Sequence, residues 1–155
     1  MQLDTSQYFA VGLFIMNDKQ ADNLWDWEKN VLPNLIPTYH KPKLTKLQIV
    51  TYTEYVCNRL GFDIPNFSFK KARKDSIADI GVYNAANWKI NFFGAKITKD
   101  VILHEIAHMP FFHRKVEDHG KEFMGFYIKL LHEFLGIPLK KLKKSLNKAS
   151  ILYEE

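Results

Sequence analysis

The sequence predicts an α+β domain, and two features carry that reading. Helical apolar periods occupy both flanks of the chain, and three short runs rich in aromatic and β-branched residues lie together at 67–73, 79–83 and 88–93. No repeat, low-complexity tract or Gly/Ser linker divides the chain, so a single domain over 1–155 is expected. A chain of 155 residues can bury a core without disulfides or a structural metal, and 46% hydrophobic with 25% charged residues excludes a disordered composition.

Residues 8–16 form an apolar run that reads as a buried strand or a short helix, about half the ~20 residues that a membrane span requires. It has neither a basic flank nor a small-residue cleavage site, so no signal peptide or anchor is predicted. Asn17 or Asp18 can cap a helix running to Leu32, with Leu24, Trp25, Glu28, Val31 and Leu32 marking its faces and Pro33 as its stop. Three prolines make 33–43 a loop. Thr45 and Gln48 then form a capping-box pair, each able to satisfy the other's free backbone amide, and open a helix that should end near Gly61.

After the small sheet, whose last two runs are joined by 84–87 as a hairpin, a helix is predicted over 98–109. Pro110 breaks it, because the residue before a proline is disfavoured in helical geometry. A second helix should begin at Asp118 or His119, with Phe123, Phe126, Tyr127, Leu130, Leu131 and Phe134 as its apolar stripe and Gly136 with Pro138 at its end. Leu139, Leu142 and Leu146 set a last amphipathic helix at about 138–150, whose other side carries Lys140, Lys141, Lys143, Lys144 and Lys148.

Chemistry concentrates in the 98–109 helix. His104-Glu105-Ile106-Ala107-His108 is an HExxH motif. One helical turn, roughly 6 Å along the axis, separates the two imidazoles, so both can grip one metal ion. Glu105, about 100° round the helix from His104, can serve as the general base toward a water on that metal. A catalytic zinc takes three protein ligands, so a third must come from beyond the Pro110 break, where His113, Glu117, Asp118, His119 and Glu122 are the candidates. His119 is preferred, because eleven residues give the chain room to reverse, whereas His113 follows the break closely and reads as a surface residue beside Arg114 and Lys115. Glu122 remains an alternative ligand, a partner orienting an imidazole, or a charge on the helix dipole.

The run 104–123, HEIAHMPFFHRKVEDHGKEF, resembles the active region of the SprT-like zinc metallopeptidases, whose pattern is HExxH, a variable loop, then HGxEF or HGxEW. The resemblance extends over about 77–135, because a hairpin precedes the metal helix in that family; residues 1–65 show no likeness. It implies a zincin-like fold, one Zn2+ held by His104, His108 and His119, and Glu105 as base. The chain departs from the family in its single cysteine, Cys57, which rules out the four-cysteine zinc module that often follows the protease core; a lysine-rich helix stands there instead. A metzincin pattern is excluded by Met-Pro-Phe after His108. A thermolysin-like distant ligand would leave only Glu122 or Glu133.

The function expected is zinc-dependent hydrolysis of peptide bonds, and the resemblance implies a protein substrate lying along the 78–83 strand edge. DNA-associated proteins are the substrate class that the family likeness favours. The alternatives are a non-peptidase zinc amide hydrolase and a DNA-binding module with structural zinc. Residues 1–37 hold two lysines and five acids, a net −3, which leaves +8 on the remainder. The five helix lysines, with Lys70, Lys71, Arg73 and Lys74, are the candidate nucleic-acid contacts. Tyr83 and Tyr127 are candidate oxyanion donors, and Trp25, Trp27, His40 and His132 read as ordinary core or surface residues. One free cysteine fits an intracellular, cytoplasmic setting with no membrane partner.

Overall fold

The computed structural model describes residues 18–71, 81–84, 88–94, 96–111 and 116–155, with the backbone alone at 81–84. The run at 8–16, together with His113, Arg73, Lys74, Ala78 and the Tyr83 side chain, lies outside the described residues. The elements in order are α1 (Ala21–Asn30), α2 (Leu32–Leu35), a 3-10 turn (Thr38–His40), α3 (Lys46–Leu60), β1 (Asn66–Lys70), β2 (Gly81–Asn84) and β3 (Lys89–Phe93). They continue with α4 (Lys99–His108), a second 3-10 turn (Met109–Phe111), α5 (Lys121–Leu135) and α6 (Leu139–Lys148). The architecture is α+β, as the sequence predicts.

Local signals act as anticipated at several boundaries, but Asp18 does not cap α1. Gln20 stands at the cap without a side-chain hydrogen bond, because the Asp18 carboxylate is taken by His119 Nδ1, and α5 starts after Gly120 rather than at Asp118 or His119. Thr45 and Gln48 make both halves of the capping box at the head of α3, and Gly61 closes that helix in the left-handed region at φ 69°. Gly136 does the same for α5 at φ 70°. Pro33 departs from expectation. The first helix already ends at Val31, and Pro33 sits in the first turn of α2, where its missing N–H would have no intrahelical partner in any case.

The three strands form one sheet in the order β1-β3-β2, with β1 parallel and β2 antiparallel to β3. Pairing aligns Phe67 with Ile90 and Tyr83 with Ile90 on either side of the central strand. Ile90 and Phe92 turn into the core, following the two-residue side-chain period. β2 is an edge strand, and it lies against α4.

One core joins these elements. Leu24 and Trp27 of α1, Val56 and Cys57 of α3, Ile102, Leu103 and Ile106 of α4, Phe123, Tyr127 and Leu131 of α5, and Leu142 and Leu146 of α6 are all fully buried in it. Trp27 also donates its indole N–H to Ser145 Oγ at 2.9 Å, pinning α1 to α6. Trp25, two residues earlier, stays half-exposed. Among the described residues no helix is long and apolar enough to cross a membrane.

Candidate metal centre

α4 buries Ile102, Leu103, Ile106 and Ala107, which fixes its rotation and sends His104 and His108 to a common side. Their Nε2 atoms stand 3.2 Å apart. At Met109 the helix tightens into the 3-10 turn, and the chain comes back to present His119 at the head of α5. The His119 ring centre is 5.3 Å from that of His104 and 4.8 Å from that of His108. Potential ligand nitrogens of the three lie within 4.8 Å of one another, so the trio could hold a metal ion.

The return of the chain depends on a tight turn. Gly120 N–H donates to the Glu117 carbonyl at 3.1 Å, and a Cβ at position 120 would fall 2.8 Å from Glu117 Cβ. Glycine after the third histidine is therefore a steric requirement. Phe123, one turn into α5 and fully buried, supplies a floor: its ring centre is 5.1 Å from His104, 4.4 Å from His108 and 5.1 Å from His119.

Each histidine also has a carboxylate on its other nitrogen. Glu28 Oε1 is 2.5 Å from His104 Nδ1, Asp118 Oδ1 is 3.3 Å from His108 Nδ1, and Asp18 Oδ2 is 2.6 Å from His119 Nδ1. With Nδ1 engaged, Nε2 is the nitrogen left for a ligand bond. Three imidazoles of fixed tautomer make a donor set suited to a borderline divalent ion. Asp18 and Asp118 also gather with His119 into a second convergent group, but both approach the same Nδ1, at 2.6 and 4.0 Å.

Burial and charge set the protonation. Burial alone would push the His104 imidazole down, yet the neighbouring Glu28 charge and its hydrogen bond outweigh this and raise it to about 9. Burial prevails at His108, which is lowered. The Glu28 carboxyl is also held low, the His104 partnership overcoming the upward push of burial. Asp118 is held to about 2, chiefly by its hydrogen bond to His108.

Glu105 is buried at 5% exposure, one residue past His104. Glu122 lies half-buried in the first turn of α5 and belongs to neither convergent group. Tyr127 is fully buried, its ring centre 5.4 Å from that of His104, and its hydroxyl donates to the Asp100 carbonyl at 3.4 Å. Glu133 pairs with Arg59 at 3.5 Å on the exposed side of α5. His132 bonds the Ile137 carbonyl at 2.8 Å, and His40 meets Lys99 at 3.0 Å; neither belongs to the metal group.

The sequence offered Asp18 only as a helix cap, Glu28 only as a helix-face residue, and Asp118 as a helix start or a ligand, none of them as a partner to an imidazole. Nothing in the spacing links positions 18 and 28 to 104 and 119. The only hint was the acidic bias of the first 37 residues in an otherwise basic chain. A cavity of about 250 Å³ opens beside the end of α4, lined by Gly61, Phe62, Asp63, Trp88, Met109 and Pro110. Comparison with protein-family models, with curated proteins and with solved structures returned no match.

Proposed function

We propose that this chain is a zinc-dependent metallopeptidase with a zincin-like arrangement, in which His104, His108 and His119 hold one Zn2+ and Glu105 is the general base. The observation that carries the reading is the convergence of three imidazoles, each with a carboxylate on its Nδ1, around one point, with the buried Glu105 carboxylate near enough to act electrostatically on His104 and His108. The likeness to SprT-like peptidases, spanning about 77–135, is carried chiefly by the HExxH and HGxEF runs.

Bound zinc would polarise a scissile carbonyl and lower the pKa of a water toward ~7. Glu105 then accepts the proton of the attacking water and returns it to the leaving amine. The carboxylates of Glu28, Asp118 and Asp18 keep the imidazoles in one tautomer and in place. An extended substrate would pair with the β2 edge by main-chain hydrogen bonds, an interaction with little side-chain preference, and β2 is favoured because it flanks α4. The cavity next to Met109, at the end of the helix that carries His104 and His108, offers a recess for an apolar side chain. An intracellular setting belongs to the same reading, supported by the buried free thiol of Cys57.

A second reading adds association with nucleic acid, and the exposure of Lys140, Lys141, Lys144 and Lys148 on α6 favours it. At about 100° per residue these four fall within roughly 100° of arc, opposite the leucines. Lys143 lies on the other flank, and its ammonium is 2.9 Å from Glu155.

The test of catalysis is Glu105→Gln, which keeps shape but cannot take the proton. At equal zinc content the variant is expected to lose cleavage of a casein-like or DNA-bound protein by about 10²-fold or more. Equal rates would remove Glu105 as base. Turnover of a small amide without any proteolysis would favour the non-peptidase hydrolase.

A further inference from the structure

The first described residues of the chain, which the sequence offered only as the start of a helix, are built into the histidine cluster. Three consecutive residues clasp the 117–119 turn. Asp18 takes His119 Nδ1 at 2.6 Å, the Lys19 amide donates to Glu117 Oε1, and the Gln20 side-chain amide donates to the His119 carbonyl at 2.7 Å. Ten residues after Asp18, on the inward face of α1, Glu28 takes His104 Nδ1 at 2.5 Å. The Glu28 and Asp18 side chains are only 21% and 12% exposed, too sheltered to be ordinary surface acids. Among the described residues the second Asp18 oxygen is buried without a hydrogen-bond partner, so the carboxylate is committed to His119.

An isolated buried carboxylate is unfavourable unless its charge meets a partner. Here both partners are members of the histidine trio, so the charge of each acid acts on a nitrogen across the ring from the shared centre. A carboxylate on Nδ1 fixes the Nε2-binding tautomer, locks the ring and raises its basicity as a ligand.

We propose that Asp18 and Glu28 are positioning residues for the metal centre, orienting His119 and His104 and setting their affinity for zinc. The inference rests on the metal reading above. It makes the 18–28 segment part of the functional site and distinguishes these two acids from Asp22 and Asp26, which are exposed on the same helix.

The experiment measures the zinc dissociation constant of the purified chain by competition with a chromogenic chelator, with the fold followed by circular dichroism. Glu28→Ala and Asp18→Ala should each weaken zinc binding by about 10- to 100-fold. Glu28→Gln and Asp18→Asn retain an acceptor without the charge and should fall between those variants and wild type. Asp22→Asn, with the same charge change on the same helix, should leave affinity unaltered. In nitrogen-15 spectra of the zinc-loaded protein the Nδ1–H resonance of His104 should move upfield in Glu28→Gln while that of His108 stays in place. Should either alanine variant fail to fold, the isosteric amide and its spectrum decide. Affinities within twofold of wild type in the Glu28 and Asp18 variants, with His104→Ala and His119→Ala losing zinc, would overturn the proposal alone. Wild type binding no zinc, or unaltered affinity in the two histidine variants, would overturn the metal reading and this inference with it.

Discussion

His104 and His108 share a helix face and a 3.2 Å contact, yet their protonation is driven in opposite directions. The difference lies in their partners. Glu28 is sheltered and touches His104 at 2.5 Å, whereas Asp118 is 62% exposed and stands 3.3 Å from His108. Glu28 thus favours the charged form of His104, while burial favours the neutral form of His108. A raised folded-state pKa contributes stability that is fully present below the unfolded value of 6.5 and is lost as pH rises through about 9. The interval corresponds to on the order of 3 kcal/mol. His108, being lowered, works the other way and costs stability as pH falls below about 6.5. The melting temperature of the chelator-treated protein is thus expected to decline between pH 7 and 9.5, and Glu28→Gln should flatten that decline. A wild-type curve that is level over this range would mean that His104 and Glu28 are not charge partners.

At the scale of elements, α5 is held at its N-terminal end from two sides. Residues 18–20 clasp the turn before it, and the last residues of the chain lie across its first turns, where the Glu154 amide donates to the Lys121 carbonyl at 2.8 Å. Gln20 ties the two together, its side chain bonding Leu152 through both the carbonyl at 3.0 Å and the amide at 2.9 Å. Gly125 makes this crossing possible, because a Cβ there would come 2.5 Å from the Glu154 carbonyl oxygen, which is backbone and cannot swing away. Alanine ordinarily gains about 1 kcal/mol over glycine inside a helix. Forcing a methyl against the strand of backbone costs about 1–3 kcal/mol. Gly125→Ala is therefore expected to lower stability in urea or thermal unfolding by up to about 2 kcal/mol. A stabilised variant would show that the crossing is loosely held.

Over the whole molecule the acidic and basic halves of the sequence have separate uses. Acids from the first described segment are drawn into the histidine cluster, and the exposed lysines of α6 are left on an outer face. If that face meets phosphates, changing Lys140, Lys141, Lys144 and Lys148 to Gln should weaken binding to oligonucleotides. It should also reduce the salt dependence by about three to four units of slope, since each phosphate contact contributes about 0.9. Lys143→Gln alone should have less effect, its charge being met by Glu155 at 2.9 Å. Fluorescence anisotropy across a salt series reads both quantities, and a wild-type chain that binds neither single nor double strands at low salt removes nucleic acid from the account.

What the sequence determined by itself is much of what short spacing carries. The capping box at Thr45, the glycine stops at Gly61 and Gly136, the strand runs, and two histidines on one turn of α4 are local consequences of backbone geometry, and each is found where the residues require it. The placement of Pro33 was misread because a proline stops one helix and starts another by the same missing amide. Only the tertiary structure decided how His119 meets the pair on α4, since that depends on the closeness of Gly120 to Glu117 and on the Phe123 floor. It alone decided the partners of the histidines as well. Asp18 and His119 are 101 residues apart, and Glu28 and His104 are 76 apart. No periodicity spans such distances. Those contacts exist because Leu24 and Trp27 bury α1 against the common core, and burial of its apolar face turns Glu28 inward.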